Sequence, residues 1–363
     1  RVGIKATAVY SGMGRQEIVA ELENCVSGQY KFLYVSPERL ATGLFREKLQ
    51  AMNVCLLVVD ESHCISQWGY DFRPSYLHIA DIREQLPGVP VLALTATATP
   101  EVVDDIQRRL LFKEKNVFRT SFVRPNLAYI VRRTEDKLGT LAYILGKVPG
   151  TAIVYTRSRK QTKEAALFLQ AGISADFFHA GLNREEKAIR QHRWKNNECR
   201  VMVATNAFGM GIDKPNVRLV VHLDMPGSLE EYFQEAGRVG RDSRKAFAVA
   251  LCTDTDSFHL KKRIDDEFPE KKLIGKVYEA LGDYFRIQEG QGKDIVHNFE
   301  LTDFYSTCQL PPLQIHHALK LLELSGYIEY CEAMDESSFQ TAPQITYTHP
   351  RVRTNALIIP SSA

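Results

Sequence analysis

The sequence has 363 residues, the length of two or three ordinary domains, which excludes a single small module. A hydrophobic share of 44% beside 25% charged residues excludes a globally disordered chain. Residues 1–250 carry 35 Lys and Arg against 27 Asp and Glu, whereas residues 251–363 carry 11 against 17. We therefore expect a polyanionic partner to bind the first two thirds of the chain.

Short apolar runs rich in Val, Ile and Leu alternate with amphipathic stretches, the pattern of β-α units around buried parallel strands. The predicted strands are Ile4–Tyr10, Phe32–Val35, Val54–Val59, Val91–Leu94, Ala152–Tyr155, Val201–Ala204 and Leu219–Leu223. Between strands, Gln161–Gln170 and Glu185–Trp194 have apolar residues three and four apart, as helices do. The longest apolar run, Val54–Val59, is far shorter than the ~20 residues that cross a bilayer, so the sequence predicts a soluble protein.

The α/β pattern occurs in two blocks, and Arg124-Pro125-Asn126 breaks its periodicity between them. We interpret Arg119–Glu135 as a linker. The sequence therefore predicts two α/β domains with parallel sheets, over residues 1–120 and 121–255. We expect the first to be incomplete, because the chain starts inside a strand pattern with a residue other than Met.

Residues 256–363 are predicted to form a mainly helical C-terminal region. Helical patterns cover Lys271–Arg286 and Pro312–Ser325, and the second has a broad apolar face that ends at Gly326. The strand-like Tyr327–Tyr330 follows it. A helix, a glycine and a short strand are typical of a winged-helix-like unit, although any small helical cap would show the same pattern.

The strongest local motif is a pair of carboxylates, Asp60 and Glu61, at the end of the apolar Val58-Val59. Sheets of α/β proteins place their sites at such strand ends. One carboxylate there can hold Mg²⁺ while the other polarises the water that attacks a phosphate. Taken alone, such a pair is more often a strand end capped by solvated acids.

Two further motifs accompany the carboxylates. Leu94–Pro100 presents several hydroxyls after a strand, which alone indicates a polar turn before a helix. Farther on, Arg238 and Arg241 lie three residues apart behind Gln234. On a helix, this spacing would aim both guanidinium groups at one target, such as the charge on a γ-phosphate. The alternative is a solvated basic face of a helix.

These three motifs, in this order on two α/β blocks, resemble the helicase core of two RecA-like domains. The stretch Asp60–Pro74 is similar to the aspartate-glutamate-x-histidine box and aromatic-rich loop of the RecQ family. Further matches are Val35–Leu40, Phe178–Leu182 and Ala204–Asn216. The resemblance spans about residues 1–260. It implies an ATP-dependent DNA helicase of DNA repair and recombination that translocates 3′ to 5′ on single-stranded DNA and unwinds duplexes.

The resemblance also implies ATP and Mg²⁺ as cofactors, and it assigns roles residue by residue. Asp60 matches the metal ligand, Glu61 the residue that positions water, and His63 the link between ATP state and DNA. From the second domain, Gln234, Arg238 and Arg241 match the nucleotide-sensing motif, with Arg241 as the arginine finger. The residues that face the nucleotide are then Gly211, Asp213, Arg238 and Arg241.

The DNA-binding residues have physical support as well. Ser36-Pro37 is typical of a helix start, whose free N–H groups can receive a phosphate oxygen. Aromatic residues beside Arg73 supply stacking faces and a cation for single-stranded bases, with a packed aromatic cluster as the alternative. The predicted DNA-binding residues are Ser36, Arg39, Trp68, Phe72, Arg73, Thr156, Arg157, His179 and Thr205.

Two departures from the family pattern stand out. The sequence contains no G-x-x-x-x-G-K-[S/T] loop. Because the family places this loop upstream of the segment matching Arg1, we expect an N-terminal truncation and a chain that is inactive alone. Many family members also carry a four-cysteine zinc module, whereas here Cys308 and Cys331 stand apart. We predict no zinc and, because the seven cysteines contain no C-x-x-C pair, reduced thiols in a cytoplasmic protein, associated with the nucleoid in a bacterium.

Two other functions remain open from the sequence. A nucleic-acid clamp would use the same grooves without hydrolysing ATP. An RNA helicase would share the same core, although the box that ends in His63 and the loop Trp68–Arg73 favour DNA. The sequence predicts single-stranded and duplex DNA as partners and no membrane, and it indicates no protein partner.

Overall fold

The computed structural model describes residues 3–10, 12–66, 72–209, 212–331, 344–353 and 357. The chain forms two compact units, Arg1–Leu251 and Cys252–Ala363. The boundary between them lies beside the one predicted at residue 255, and the further division of the first unit at residue 120 stays a prediction. Within the described residues, every helix is too short or too polar to cross a bilayer.

The described residues of the first block of the larger unit, residues 3–112, form four short strands in two separate parallel pairs, β1 with β2 and β3 with β4. The strands are β1 (Ala6–Val9), β2 (Phe32–Val35), β3 (Leu57–Val59) and β4 (Val91–Ala93). The helices are α1 (Arg15–Val26), α2 (Pro37–Leu40), α3 (Gly43–Ala51), α4 (His78–Gln85) and α5 (Pro100–Arg109). Buried residues such as Val9, Leu22 and Ile65 form one core beneath them.

One strand of the first block is shorter than predicted. The apolar run Val54–Val59 was expected to be a strand throughout, but only Leu57–Val59 is one. Its partner β4 has three residues, so the register pairs Leu57 with Val91 and ends with Val59 opposite Ala93. The N–H of Val54 instead donates to the carbonyl of Met52. Apolar composition therefore extends beyond the part of the run that has a strand partner.

The second block, residues 127–251, is built on a six-stranded sheet of order β5-β10-β9-β6-β8-β7. Its strands are β5 (Leu127–Arg133), β6 (Thr151–Tyr155), β7 (Ala175–Phe178), β8 (Val201–Ala204), β9 (Val217–His222) and β10 (Ala246–Cys252). Its helices are α6 (Lys137–Lys147), α7 (Arg159–Gln170), α8 (Arg184–Lys195) and α9 (Leu229–Ala236). Every residue of β6 and β8 is buried, and a separate core lies on each face of the sheet.

The helices of this block start where the sequence provides capping side chains. Ser158, Asn183 and Ser228 each accept a hydrogen bond from the backbone N–H three residues on, at the starts of α7, α8 and α9. Such caps satisfy N–H groups that the helix itself leaves without a partner. The caps therefore explain why α7 and α8 begin within two residues of their predicted starts.

The interpretation of Arg119–Glu135 as a linker is wrong for Leu127–Arg133, which forms the edge strand β5 beside β10. Leu127 is buried, but most of the other β5 side chains are exposed. An edge strand that is largely solvated has no reason to alternate apolar and polar residues, so periodicity does not reveal it.

The register of the central strands places four residues in one row. Tyr155 on β6 is paired with Ala204 on β8 and His222 on β9, and Ala204 is also paired with Phe178 on β7. These strands are parallel, so the residues that follow them emerge at the same carboxyl edge of the sheet. The polar residues predicted to bind DNA in this block lie at that edge.

The second unit consists of helices and a three-stranded antiparallel sheet of order β11-β13-β12. Its elements are α10 (Asp256–Glu267), α11 (Lys271–Tyr284), β11 (Val296–Asn298), α12 (Leu301–Cys308), α13 (Pro312–Leu324), β12 (Ile328–Cys331) and β13 (Gln344–Tyr347). The apolar face of α13, including Ile315 and Leu322, packs into its core. The prediction of a mainly helical C-terminal region is confirmed, and the winged-helix-like unit within it stays a prediction.

Candidate active site

The acidic box, Asp60–His63, begins directly after β3 with an unusual backbone conformation. Glu61 has a φ of 47°, in the left-handed region, and a short 3₁₀ helix, Ser62–Ile65, follows it. A residue with a side chain adopts this region at a cost of about 1–2 kcal/mol. The turn is held by the N–H of Glu61, which donates to Oδ1 of Asp60 at 2.9 Å. Strain of this kind is concentrated at functional sites.

The polar turn after β4 lies directly against the acidic box. The N–H of Ser62 donates to the carbonyl of Leu94 at 2.9 Å, which joins the two turns through the backbone. Nδ1 of the buried His63 lies 3.0 Å from Oγ1 of Thr95 and 3.5 Å from Oε2 of Glu61. The first two sequence motifs therefore form one site, in which His63 lies between the hydroxyl and the carboxylate.

A side chain from the second block completes this site. Nε2 of Gln234, in α9, donates to Oε1 of Glu61 at 3.4 Å. Burial and the charge of Asp60 raise the pKa of Glu61, while Arg238, Gln234 and Arg73 act in the opposite direction. Glu61 is thus a half-buried carboxylate whose partners come from both blocks.

The two arginines do not lie on a helix, so the prediction of a shared helical face is wrong. Helix α9 ends at Ala236, and Gly240 in the loop that follows has a φ of 61°. Arg238 is buried and donates from Nη1 to the carbonyl of Gly209. Arg241 donates from Nη1 to the carbonyl of Ile212 at 3.2 Å, and its side chain is 41% exposed. The guanidinium groups therefore contact different points of one loop.

Close packing against Arg238 restricts which residue type can occupy position 209. A Cβ atom at Gly209 would overlap the guanidinium group of Arg238. Only glycine allows this approach without a shift. Asp213, four residues on, has Oδ1 3.8 Å from Nη1 of Arg241, and Gly211 between them lies outside the described residues.

A clamp that the sequence analysis missed holds the arginine loop, residues 237–244. Arg124 donates to the carbonyls of Gly237, Val239 and Gly240 at 2.9, 2.8 and 2.7 Å. Nδ2 of Asn126 donates to the carbonyls of Gly240 and Arg244 at 2.7 and 2.9 Å. The tripeptide Arg124-Pro125-Asn126 was visible as a break in the pattern, but its partners are more than 100 residues away.

The predicted DNA-binding residues of the second block come together at the carboxyl edge of its sheet. Thr156, Arg157 and Thr205 line one cavity of about 70 Å³. The N–H of Arg157 donates to Oδ2 of Asp224 at 2.9 Å. His179 follows the neighbouring strand β7, and its ring stacks on Phe177 with centroids 5.7 Å apart. Burial and the charge of Arg159 lower the pKa of His179.

The other predicted DNA-binding residues lie in the first block. Ser36 precedes α2 with Pro37 at its first position, as predicted, although this helix has only four residues. Arg39 lines a cavity of about 320 Å³ between α1 and α3. The N–H of Arg73 donates to the carbonyl of Cys64 at 2.9 Å, beside the acidic box. Phe72 is half-buried, and Trp68 lies outside the described residues.

The acidic box has the donor chemistry that Mg²⁺ prefers. Asp60 is exposed, and of its two carboxylate oxygens only Oδ1 has a hydrogen-bond partner among the described residues. Magnesium is usually held by one or two carboxylates together with water and phosphate oxygens, so Asp60 fits this role. No group of three His, Cys, Asp or Glu side chains in the described ranges could hold a metal ion. The absence of zinc stays a prediction.

Two family models match the chain. Residues 1–106 match the DEAD/DEAH box helicase model, and residues 136–243 match the helicase conserved C-terminal domain. Among solved structures, Saccharomyces cerevisiae Dbp5 bound to RNA and ADP BeF3 superposes with a TM-score of 0.53 at 18% identity, covering 72% of this chain and 67% of Dbp5. This likeness concerns the fold alone, and it agrees with two RecA-like domains.

Several curated proteins that are similar to this chain are named as RecQ or Q1 DNA helicases. The ATP-dependent DNA helicase RecQ of Bacillus subtilis is 41% identical over 273 residues, which cover 74% of this chain and 46% of that protein. The ATP-dependent DNA helicase Q1 of Pongo abelii is 38% identical over 279 residues, which cover 73% of this chain and 43% of that protein. The chain spans about half the length of the curated relatives it matches. Family models match both blocks of the larger unit, and Gln234 of the second block contacts Glu61 in the acidic box of the first. The chain belongs to the RecQ family of helicases.

Proposed function

We propose that the protein is an ATP-dependent DNA helicase that moves 3′ to 5′ on single-stranded DNA and unwinds duplexes. The observation that carries this proposal is the hydrogen bond between Gln234 and Glu61. It joins the nucleotide-sensing motif of one block to the carboxylates of the other. A site assembled from two blocks can be made and broken as they move, which hydrolysis coupled to movement requires.

In this proposal, the acidic box carries out the chemistry at the γ-phosphate. Asp60 would hold Mg²⁺, which neutralises charge on the phosphate oxygens when bound with ATP. Glu61 orients the attacking water, because it is the half-buried carboxylate beside Asp60 and has raised basicity. Tyr76, whose pKa burial raises to about 12, donates from its hydroxyl to the carbonyl of Asp60 at 3.3 Å. It helps to hold the box in place.

The second block supplies positive charge. Arg241 remains our choice for the arginine finger, since its side chain is partly exposed and its contacts are a carbonyl and a 3.8 Å ion pair. Arg238 is buried against Gly209 and holds the loop that leads to Asp213. Gly211 and Asp213 face the nucleotide in this proposal. A finger of this kind neutralises charge that develops only in the transition state.

DNA would lie along the polar strand ends of both blocks. Thr156, Arg157, His179 and Thr205 offer N–H, hydroxyl and guanidinium donors at one edge, and such donors suit backbone phosphates. Ser36 and Arg39 do the same in the first block, while Trp68 and Phe72 would stack on bases and Arg73 would supply a cation beside them. His63, which lies between Thr95 and Glu61, would report DNA occupancy to the box.

The test is a set of assays on the full-length protein. We expect single-stranded DNA to stimulate ATP hydrolysis, and a duplex with a 3′ single-stranded tail to be unwound while its 5′-tailed counterpart is not. A matched RNA duplex should be unwound poorly. Equal unwinding of RNA would favour the RNA helicase, and tight DNA binding without any hydrolysis would favour the clamp. Unwinding of the 5′-tailed duplex alone would contradict the proposed polarity.

A further inference from the structure

A buried pair of ionisable side chains lies behind the carboxyl edge of the second block. His222 is the last residue of β9, and Glu235 lies in the last turn of α9. Nε2 of His222 is 2.9 Å from Oε2 of Glu235, and the histidine is 1% exposed. Burying such a pair costs free energy that an apolar pair would not. Its presence here therefore suggests a task other than stability.

One side of this pair faces the DNA pocket. His222 and Glu235 both line the cavity that contains Thr156, Arg157 and Thr205. Nδ1 of His222, the ring nitrogen that Glu235 does not use, is buried and has no hydrogen-bond partner among the described residues. Buried polar atoms nearly always have a partner, so one without a partner calls for a ligand or water. The ring is packed against Tyr155, with centroids 5.5 Å apart.

The other side of the pair leads to the ATPase site. Glu235 directly follows Gln234, the residue that reaches Glu61. The N–H of Arg238 donates to the carbonyl of Glu235 at 3.3 Å, so the start of the arginine loop also depends on this residue. A shift of Glu235 relative to β9 would move Gln234 and Arg238 together.

We propose that His222 and Glu235 are positioning residues that couple occupancy of the DNA pocket to the contact between Gln234 and Glu61. A water bound to a phosphate oxygen in the pocket would donate to Nδ1 of His222, and the hydrogen bond from Nε2–H to Glu235 would fix the last turn of α9. The coupling rests on the proposed function, because it needs both DNA binding and ATP hydrolysis. Other charged groups that face the pair are Arg157, Asp224, Glu231 and Arg238.

Two amide substitutions test the roles of the two ring nitrogens of His222 separately. His222→Gln places an N–H₂ group near the position of Nε2, so it can still donate to Glu235 but has nothing in place of Nδ1. His222→Asn places its amide group near the position of Nδ1 and has nothing in place of Nε2, so it leaves Glu235 without this partner. We expect His222→Gln to retain thermal stability close to wild type and to lose about 10-fold of the DNA-stimulated kcat, within the range of coupling effects, while KM for ATP changes little. His222→Asn should lose both stability and stimulation.

A double-mutant cycle tests whether the pair acts through Gln234. If it does, adding Gln234→Ala to His222→Gln should lower kcat no further than Gln234→Ala alone, whereas independent effects would multiply. Asp176→Asn is the control. Asp176 lies on β7 in the same sheet as His222, and its buried carboxylate pairs with Arg190 and Arg193 of α8. The substitution should lower the melting temperature without changing the stimulation by DNA.

The outcomes separate the coupling from the proposed function. Normal DNA stimulation in His222→Gln, or effects that multiply in the cycle, would overturn the coupling alone. Wild-type protein that hydrolyses ATP at the same rate with and without single-stranded DNA would overturn the proposed function and the coupling with it. A loss of stimulation in His222→Gln that does not add to that of Gln234→Ala supports both.

Discussion

The two blocks of the larger unit share a sequence pattern but differ in how their strands are covered. Every residue of β6 and β8 is buried in a six-stranded sheet. In the part of the first block that the structure describes, four strands form two separate pairs, and Phe32 and Val58 are 52% and 46% exposed. Strands of similar apolar composition thus differ in burial between the two blocks, because burial depends on how many strands lie beside them.

The candidate active site also takes its residues from both blocks. The first block provides the carboxylates from a strained turn after a three-residue strand. The second provides Gln234 from α9 and the arginines from the loop that Arg124 clamps. The comparison teaches that burial and polar function are distributed differently: the acidic box follows a partly exposed, three-residue strand, whereas Gln234, which contacts it, comes from the block with the buried sheet.

The largest effect should come from removing Arg241, the proposed arginine finger of the second block. Arg241→Ala should lower kcat by ~10³-fold or more while changing ATP affinity far less, because the finger acts on transition-state charge. Arg241→Lys should rescue poorly, since an ammonium group lacks the planar fork of donors. Steady-state ATPase assays on the full-length protein measure both.

Arg238→Ala is the matched variant. Because Arg238 is buried and Arg241 is partly exposed, Arg238→Ala should also lower the melting temperature, whereas Arg241→Ala should not. Normal turnover in Arg241→Ala together with inactive Arg238→Ala would reassign the finger. Near-normal turnover in both would contradict a site shared between the blocks.

The difference in burial predicts different costs for the same truncation. Leu219→Ala in β9 removes a side chain that is 1% exposed and should lower the free energy of unfolding by about 2–5 kcal/mol. Leu92→Ala in β4 removes one that is 43% exposed and should cost less than about 1 kcal/mol. Chemical denaturation of the two variants measures the difference. Equal costs would show that the first block is covered as well as the second.

A smaller effect is expected from the clamp on the arginine loop. Arg124→Ala leaves three carbonyls without their charged donor, and we expect it to lower the free energy of unfolding by about 2–3 kcal/mol. It should also lower kcat, since the loop carries Arg241. Arg193→Ala removes a half-exposed arginine from an ion pair and serves as the control. A loss of stability in Arg124→Ala with normal kcat would show that the clamp does not position the loop.

The sequence predicted most of what depends on neighbouring residues. The strands Phe32–Val35 and Val201–Ala204 have the predicted bounds, because each is a compact apolar run that ends at a polar residue. The helix predicted at Gln161–Gln170 starts two residues earlier, where Ser158 provides its cap. Local composition and capping are properties of the sequence itself.

The missed features depend on contacts between distant residues. Strand β5 shows no alternation because it is a largely exposed edge strand. The end of α9 depends on Gly237 and Gly240 and on a clamp from Arg124, more than 100 residues away, and the spacing of Arg238 and Arg241 does not reveal these contacts. The pairing of His222 with Glu235 likewise follows only from the packing of α9 on β9.

The central claim is that Glu61 of the first block orients the attacking water in a site that Gln234 completes from the second. Turnover of ATP by Glu61→Gln in the full-length protein tests it most directly, with ATP and DNA binding measured on the same sample and Glu101→Gln, at the exposed start of α5, as the control. We predict that turnover falls by about 10²- to 10⁴-fold in Glu61→Gln alone, while both affinities stay near wild type. Wild-type turnover in Glu61→Gln would contradict the claim.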